Sequence, residues 1–260
     1  MIVRPKKHLG QHFLRDENIA RKIAGLVPDD ARMLLEIGPG TGVLTRHLME
    51  KTNTDLYCME VDQDSVAWLK SNYPAFSHRI IEADFLKYDL TGFPPGDPSA
   101  NFMIVGNFPY NISSQILFRV LEFRNRIPNV TGMFQKEVAE RIAAPPGSKT
   151  YGILSVLMQA WYDIDYLFTV NETVFFPPPR VKSAVIRLTR NQTNHLDCDE
   201  HRFFRLVKTA FNQRRKTLRN ALKSIEGYDR IKARPILGQR AEQLTVNDFV
   251  DLAREIDTFA

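Results

Sequence analysis

Between positions 33 and 189, short apolar runs are separated by stretches in which apolar residues recur every three or four positions. That pattern predicts strands alternating with helices. The runs Met33–Ile37, Leu56–Glu60, Arg79–Ala83, Phe102–Gly106, Val130–Gln135, Tyr166–Val170 and Ser183–Thr189 predict seven strands. Ile19, Ile23 and Leu26 mark one face of a helix from about Asp16 to Leu26, with Asp16 as its N-cap. Further helices open with Val43, Leu44 and Leu48, then with Ile116, Leu117, Val120 and Leu121, and follow over Lys136–Ala144 and Ile153–Trp161. Strand and helix in alternation predict an α/β domain on a mostly parallel sheet. The polar stretch Arg190–Glu200 reads as a linker. Beyond it Phe203, Val207, Ala210 and Phe211 form a helical apolar face, with Arg214, Arg215, Lys216, Arg219 and Lys223 as a cationic surface. A boundary near residue 194 divides the chain into domains 1–193 and 194–260.

The strand ends carry the chemistry. Met33–Ile37 runs into Gly38-Pro-Gly-Thr-Gly42 and then a helix, a unit in which glycines let the backbone approach a ligand. Glu60 ends the next strand, where an acid reaches ribose hydroxyls, a feature a dinucleotide oxidoreductase shares. Asp84 follows the third strand and Asn107 the fourth. A ligand with a ribose, an adenine and an amino acid end would use this row: Glu60 for the ribose, Asp84 for the adenine amine and the glycines for the amino acid end. S-adenosylmethionine fits it better than a dinucleotide, which also needs a seat for its pyrophosphate. After the strand ending at Gly106 come a carboxamide, an apolar residue, a fixed-φ residue and an aromatic ring, Asn107-Phe-Pro-Tyr110. By themselves these four residues read equally as a turn or a site. Further on, Pro177-Pro-Pro179 make a stiff extended connection, and Phe175 and Phe176 before it are either displayed or buried.

Composition narrows the setting. A chain of 260 residues can bury a full core. No apolar run approaches the ~20 residues of a membrane span, and the opening residues lack a signal peptide's apolar core, so a cytoplasmic protein without membrane attachment is expected. Cys58 and Cys198 show no metal-ligand spacing, which fits a reducing compartment and no metal site. Net charge is unevenly spread. Between His201 and Arg240 twelve Lys or Arg stand against Glu226 and Asp229, a local +10 in a chain of +5, which leaves −5 for the rest. An arginine-rich tail on a mildly acidic body points to a polyanion, most simply nucleic acid.

Together Gly10-Gln-His-Phe-Leu14, Glu36-Ile-Gly-Pro-Gly-Thr-Gly42, Asn107-Phe-Pro-Tyr110, Gln135-Lys-Glu-Val138, Phe175 with Pro177–Pro179, and Phe211-Asn-Gln-Arg-Arg-Lys-Thr-Leu-Arg-Asn220 resemble the KsgA family, the small-subunit ribosomal RNA adenine dimethyltransferases. The resemblance spans residue 4 to about 255. It implies a class I S-adenosylmethionine-dependent methyltransferase domain, Rossmann-like, with a mostly parallel seven-stranded sheet, an N-terminal arm over the cofactor and a small helical RNA-binding domain. It implies cofactor contacts from His12, Leu14, Gly38, Glu60, Asp84 and Asn107. Relatives mostly carry Asn where this chain has His12, and Leu where it has Phe108. The implied reaction methylates N6 of two adjacent adenosines in a hairpin loop near the 3′ end of small-subunit rRNA, during 30S biogenesis, by a monomer.

Chemistry assigns roles within the motif. The exocyclic amine of adenine is a poor nucleophile because its lone pair is delocalised into the ring. Acceptors at the Asn107 side-chain oxygen and the Phe108 carbonyl would draw its nitrogen toward tetrahedral geometry, with Pro109 fixing the turn. Tyr110 would stack on the base and Phe175 on its other face, while Arg214, Arg215 and Lys216 grip RNA. Positioning carries such a displacement, so neither a metal nor a dedicated base is required. The rival readings are a large-subunit rRNA adenine methyltransferase of the antibiotic-resistance type and a ribosome assembly factor without catalysis. The Phe211–Asn220 block argues against the first, and intact Gly38, Glu60, Asp84 and Asn107 against the second.

Overall fold

The computed structural model describes residues 3–257. Its opening arm makes a 3-10 turn (Lys7–Leu9) and a short strand β1 (Phe13–Leu14), then helix α1 (Glu17–Ala24), whose N-cap Asp16 accepts the N–H groups of Asn18 and Ile19. The chain continues through β2 (Met33–Ile37), α2 (Val43–Leu48), β3 (Asp55–Glu60), α3 (Gln63–Asn72), β4 (Ile80–Glu82), β5 (Met103–Asn107), α4 (Ser113–Glu122) and β6 (Asn129–Gln135). After these come α5 (Lys136–Ala143), α6 (Ile153–Gln159), β7 (Tyr162–Val170), β8 (Phe175–Phe176) and β9 (Ser183–Arg190). The last helices are α7 (Glu200–Asn212), α8 (Leu218–Ala221), α9 (Tyr228–Ile231) and α10 (Val246–Asp257).

Seven strands form one sheet in the order β4-β3-β2-β5-β6-β9-β7. β4, β3, β2, β5 and β6 pair in parallel, and β9 runs antiparallel to β6. The expected Rossmann-like architecture is thus what the chain adopts. Its central strands are apolar along their length because parallel strands bury both faces: Leu34, Leu35, Ile104, Val105, Val130 and Met133 are all 1% exposed or less. The strand order reverses between β2 and β5, whose register sets Leu34 opposite Met103 and Glu36 opposite Val105. In such sheets a crevice opens outside the carboxyl ends at the reversal. Gly38 follows one of these strands and Asn107 ends the other.

Beyond its turn the arm contributes a strand. β1 pairs antiparallel with β8, Phe13 opposite Phe176 and Leu14 opposite Phe175, as a separate two-stranded sheet. β7 also begins earlier than its apolar run suggested. Its first residues alternate Tyr162-Asp-Ile-Asp165, with the two acids exposed, rather than forming a continuous apolar run.

By internal contacts the chain divides into two compact units. One holds the chain up to Ala139 together with Asp165–Arg190; the other holds Glu140–Ile164 and the chain from Asn191 onward. A single boundary near 194 therefore omits a mid-chain segment that joins the helical unit. Aromatic packing is the reason: buried Trp161 stands edge-on to Phe203 at 6.0 Å and stacks on Phe204 at 5.8 Å, and Tyr151 meets Phe211 edge-on at 6.1 Å.

Candidate active site

Three strand ends and the arm enclose a cavity. Its lining includes Gly10, Gln11, His12, Phe13, Gly38, Gly40, Glu60, Val61, Asn107, Phe108, Pro109 and Tyr110. Glu60 at the end of β3 is buried, and backbone donors hold it: Oε1 accepts the N–H groups of Val61 and Asp62, both at 2.9 Å, and Oε2 accepts that of Gly40 at 3.1 Å. Burial pushes the Glu60 carboxyl above its usual range, with those N–H groups pulling the other way. Gly40 also has to be glycine for the arm. Its φ is +56°, and a Cβ there would stand 2.8 Å from the ring of Phe13.

Asn107 closes β5. Its Nδ2 donates to the backbone carbonyl of His12 at 2.9 Å. Since a carbonyl can only accept, that bond fixes which way the carboxamide faces and leaves Oδ1 as an acceptor on its other side. Phe108 is 1% exposed, packed edge-on to Phe134 with centroids 5.0 Å apart, so its side chain belongs to the core. Gly132 on the neighbouring strand makes room for it, for a Cβ there would come within 2.2 Å of the Phe108 ring. The Tyr110 hydroxyl hydrogen-bonds Ser183 Oγ, and its ring stacks on the His12 imidazole at 5.4 Å and 28°. Burial raises the Tyr110 phenol above its ordinary value, opposed by the Ser183 hydrogen bond. His12 Nδ1 in turn donates to the Pro177 carbonyl at 2.7 Å.

The remaining candidates are less uniform. Asp84 is half-buried and uses Oδ1 to accept the N–H of Leu86 at 2.9 Å. Leu14 is buried, and together with Glu36, Gly38, Thr41 and Asn107 it lines a smaller adjoining cavity. Phe175 requires correction as a ring displayed to a base: it is 3% exposed, inside the apolar cluster that holds Leu14, Ile23 and Leu44. Phe176 is the outward ring, 44% exposed, with the Arg15 guanidinium 4.1 Å from its centroid. Alternation along β8 sends one Phe in and the next out. In the helical unit Arg214 is not a free cation, since Nε pairs with Glu242 at 2.6 Å and Nη2 donates to the Lys149 carbonyl. Arg215 and Lys216 are exposed, and neither side chain has a polar partner among the described residues.

Comparison with known proteins places this geometry. A family model described as ribosomal RNA adenine dimethylase matches residues 2–258. The chain belongs to the ribosomal RNA adenine dimethylase family. It is 55% identical to the ribosomal RNA small subunit methyltransferase A of Phocaeicola vulgatus over 98% of this chain and 91% of that protein. With the protein of the same name from Parabacteroides distasonis it shares 56% identity, over 96% of this chain and 93% of the relative. Among solved structures, a dimethyladenosine transferase from Plasmodium falciparum superposes with a TM-score of 0.76 at 25% identity, over 93% of this chain and 96% of that one.

S-adenosylmethionine is the cofactor of this adenine dimethylase, and the residues present suit it. A carboxylate has about four acceptor positions, of which Glu60 uses three on backbone donors, so one remains for a hydroxyl. Gly38, without a side chain, exposes its backbone to the cavity it lines.

Sequence reasoning missed Lys6, Gln11, Asp62 and Ser183. Asp62, two residues beyond Glu60, is 2% exposed and caps α3. A buried acid in that position was the available signal; its arm partners lie some fifty residues away in sequence, beyond the reach of local pattern.

Proposed function

We propose that this chain methylates N6 of two adjacent adenosines in a hairpin loop near the 3′ end of small-subunit rRNA, within an immature 30S subunit and as a monomer. The observation that carries the reading is the Asn107 carboxamide, locked by His12 so that an acceptor oxygen remains at the reversal point of the sheet. The full-length similarity to proteins named for the small subunit favours that target over the large subunit.

When bound, S-adenosylmethionine supplies a methyl group made electrophilic by its positively charged sulfur. The chain supplies orientation. Asn107 Oδ1 and the Phe108 carbonyl accept the two N–H groups of the adenine amine, drawing its lone pair out of the ring plane, and Pro109 holds the two acceptors in one turn. Proton loss goes to water. For the second methylation one N–H remains, so a single acceptor suffices. Tyr110, its hydroxyl fixed by Ser183, is the stacking surface for the base. Beside it a groove lined by Lys7, Gln135, Pro177, Arg180 and Val181 gives the strand a path to the site. Arg215 and Lys216 contribute phosphate contacts from the helical unit.

Incubation with labelled S-adenosylmethionine and undermethylated 30S subunits, beside 50S subunits, tests the reading. Label should enter two neighbouring adenosines of 30S rRNA and be recovered as dimethyladenosine. Incorporation into 50S instead, or none at all, overturns it.

A further inference from the structure

Asp62 is bonded beyond the needs of a helix cap. As the N-cap of α3 it accepts the Asp64 N–H at 3.3 Å, and Ser65 Oγ donates to it at 2.9 Å. From the arm, Lys6 Nζ and Gln11 Nε2 also converge on its carboxylate, the latter at 3.1 Å, and Lys6 reaches Asp64 at 2.8 Å. Gln11 is itself oriented within the arm, because its Oε1 accepts the Lys6 N–H at 2.8 Å. The arm therefore approaches Asp62 as one folded piece, residues 6–11 around the Lys7–Leu9 turn. The next residue, His12, is the one whose carbonyl holds Asn107.

On its other side Asp62 reaches Glu60, to which its backbone N–H donates at 2.9 Å. One short turn thus presents the Glu60 carboxylate and anchors the arm that covers it. Burial disfavours the charged form of Asp62, yet hydrogen bonds from Lys6, Gln11 and Ser65 hold its carboxyl below its ordinary value.

We propose that Asp62 is a positioning residue that latches the N-terminal arm through Lys6 and Gln11 and so couples arm closure to the hydroxyl-binding carboxylate of Glu60. This rests on Glu60 receiving the cofactor's ribose. The latch keeps the arm over the cavity while cofactor is bound, and its opening sets how fast cofactor leaves.

The test uses the full chain with Lys6→Met, Asp62→Asn, their double variant and Glu60→Gln. Two readouts are taken: amide exchange of residues 5–12 without ligand, and affinity for S-adenosylhomocysteine by calorimetry. Lys6→Met and Asp62→Asn should each speed arm exchange and weaken the ligand about tenfold, the double variant no further than the worse single one. The KM for S-adenosylmethionine should rise in Lys6→Met with kcat at saturation unchanged, which a merely structural lysine would not produce. Lys6 is partly exposed, so this variant does not depend on rebuilding the core. Unchanged arm exchange in Lys6→Met, or additive losses in the double variant, overturns the latch. Unchanged affinity in Glu60→Gln overturns the ribose reading, and with it the coupling, even where arm exchange responds.

Discussion

In the sheet-bearing unit the polar candidates are held before any ligand arrives, whereas in the helical unit exposed Arg215 and Lys216 have no polar partner among the described residues. Glu60 accepts from Gly40, Val61 and Asp62, Asn107 donates to His12, and Tyr110 bonds Ser183. Arg215 and Lys216 stand in solvent, while Arg214 beside them is committed to Glu242 and Lys149. The difference matches the two tasks proposed for these residues. Groups that orient a nucleophile act only if they are aimed before the reaction. Groups that grip phosphate need only be charged and within reach, because the attraction is long-ranged and insensitive to rotamer.

The comparison breaks most readily at Asn107. Replacing it with Ala removes the oriented acceptor and leaves the cavity's other walls in place. The kcat should fall about 10²–10³-fold, with RNA affinity retained within a few-fold. Single-turnover methylation of 30S subunits alongside direct binding measures both. Near-normal turnover would mean that preorganisation at this strand end is not what accelerates the reaction.

A held polar group also leaves a mark on stability. Glu36, between the glycine turn and Cys58, is 1% exposed; burial pushes its carboxyl up from 4.5 to about 7, against the hydrogen bond that Cys58 Sγ donates to it. Between those two values the native chain holds a proton that the unfolded chain has released. The native state therefore binds more protons there, and stability should fall as pH rises through the window, by ~3 kcal/mol in all. Glu36→Gln, neutral throughout, should lose that part of the slope. Urea titrations at either end of the window for both proteins give the difference, and equal slopes would remove Glu36 as its source.

Close packing around the site motif gives a smaller effect. A Cβ on Gly132 would stand 2.2 Å from the Phe108 ring, so Gly132→Ala should cost ~1–3 kcal/mol of stability. Phe108→Leu in the same chain should recover part of it, since a shorter side chain vacates the contested space. Independent, additive effects in a denaturation cycle would show that the two positions do not compete.

These residues also show where sequence is a sufficient guide. Gly38, Glu60 and Asn107 are legible because each sits at a strand end or just beyond it, and the strands announce themselves by apolar runs buried on both faces. Phe108 was legible as an apolar exchange, but the glycine that admits it lies on another strand, and only the parallel register of β5 and β6 sets Gly106 beside Gly132. Phe175 and Phe176 are adjacent and chemically identical, so nothing local says which faces inward; the pairing of β8 with β1 decides it. Arg214, Arg215 and Lys216 likewise form one cationic run, and only the fold brings Glu242 to the first of them.

That last distinction yields the finest test. If Arg215 and Lys216 meet phosphate while Arg214 serves structure, neutralising the first two should reduce the salt dependence of RNA binding by ~1.4–1.8 in log–log slope, the loss expected for two phosphate contacts. Arg214→Ala should leave that slope unchanged. Its ion pair with Glu242 is 37% exposed on the arginine side, so solvent screens it, and its removal should cost only ~0–1 kcal/mol of stability. Binding of a small-subunit rRNA fragment across a series of salt concentrations separates the two outcomes. A slope that drops equally for Arg214→Ala would mean that its tie to Glu242 opens on the RNA and frees a third cation for phosphate.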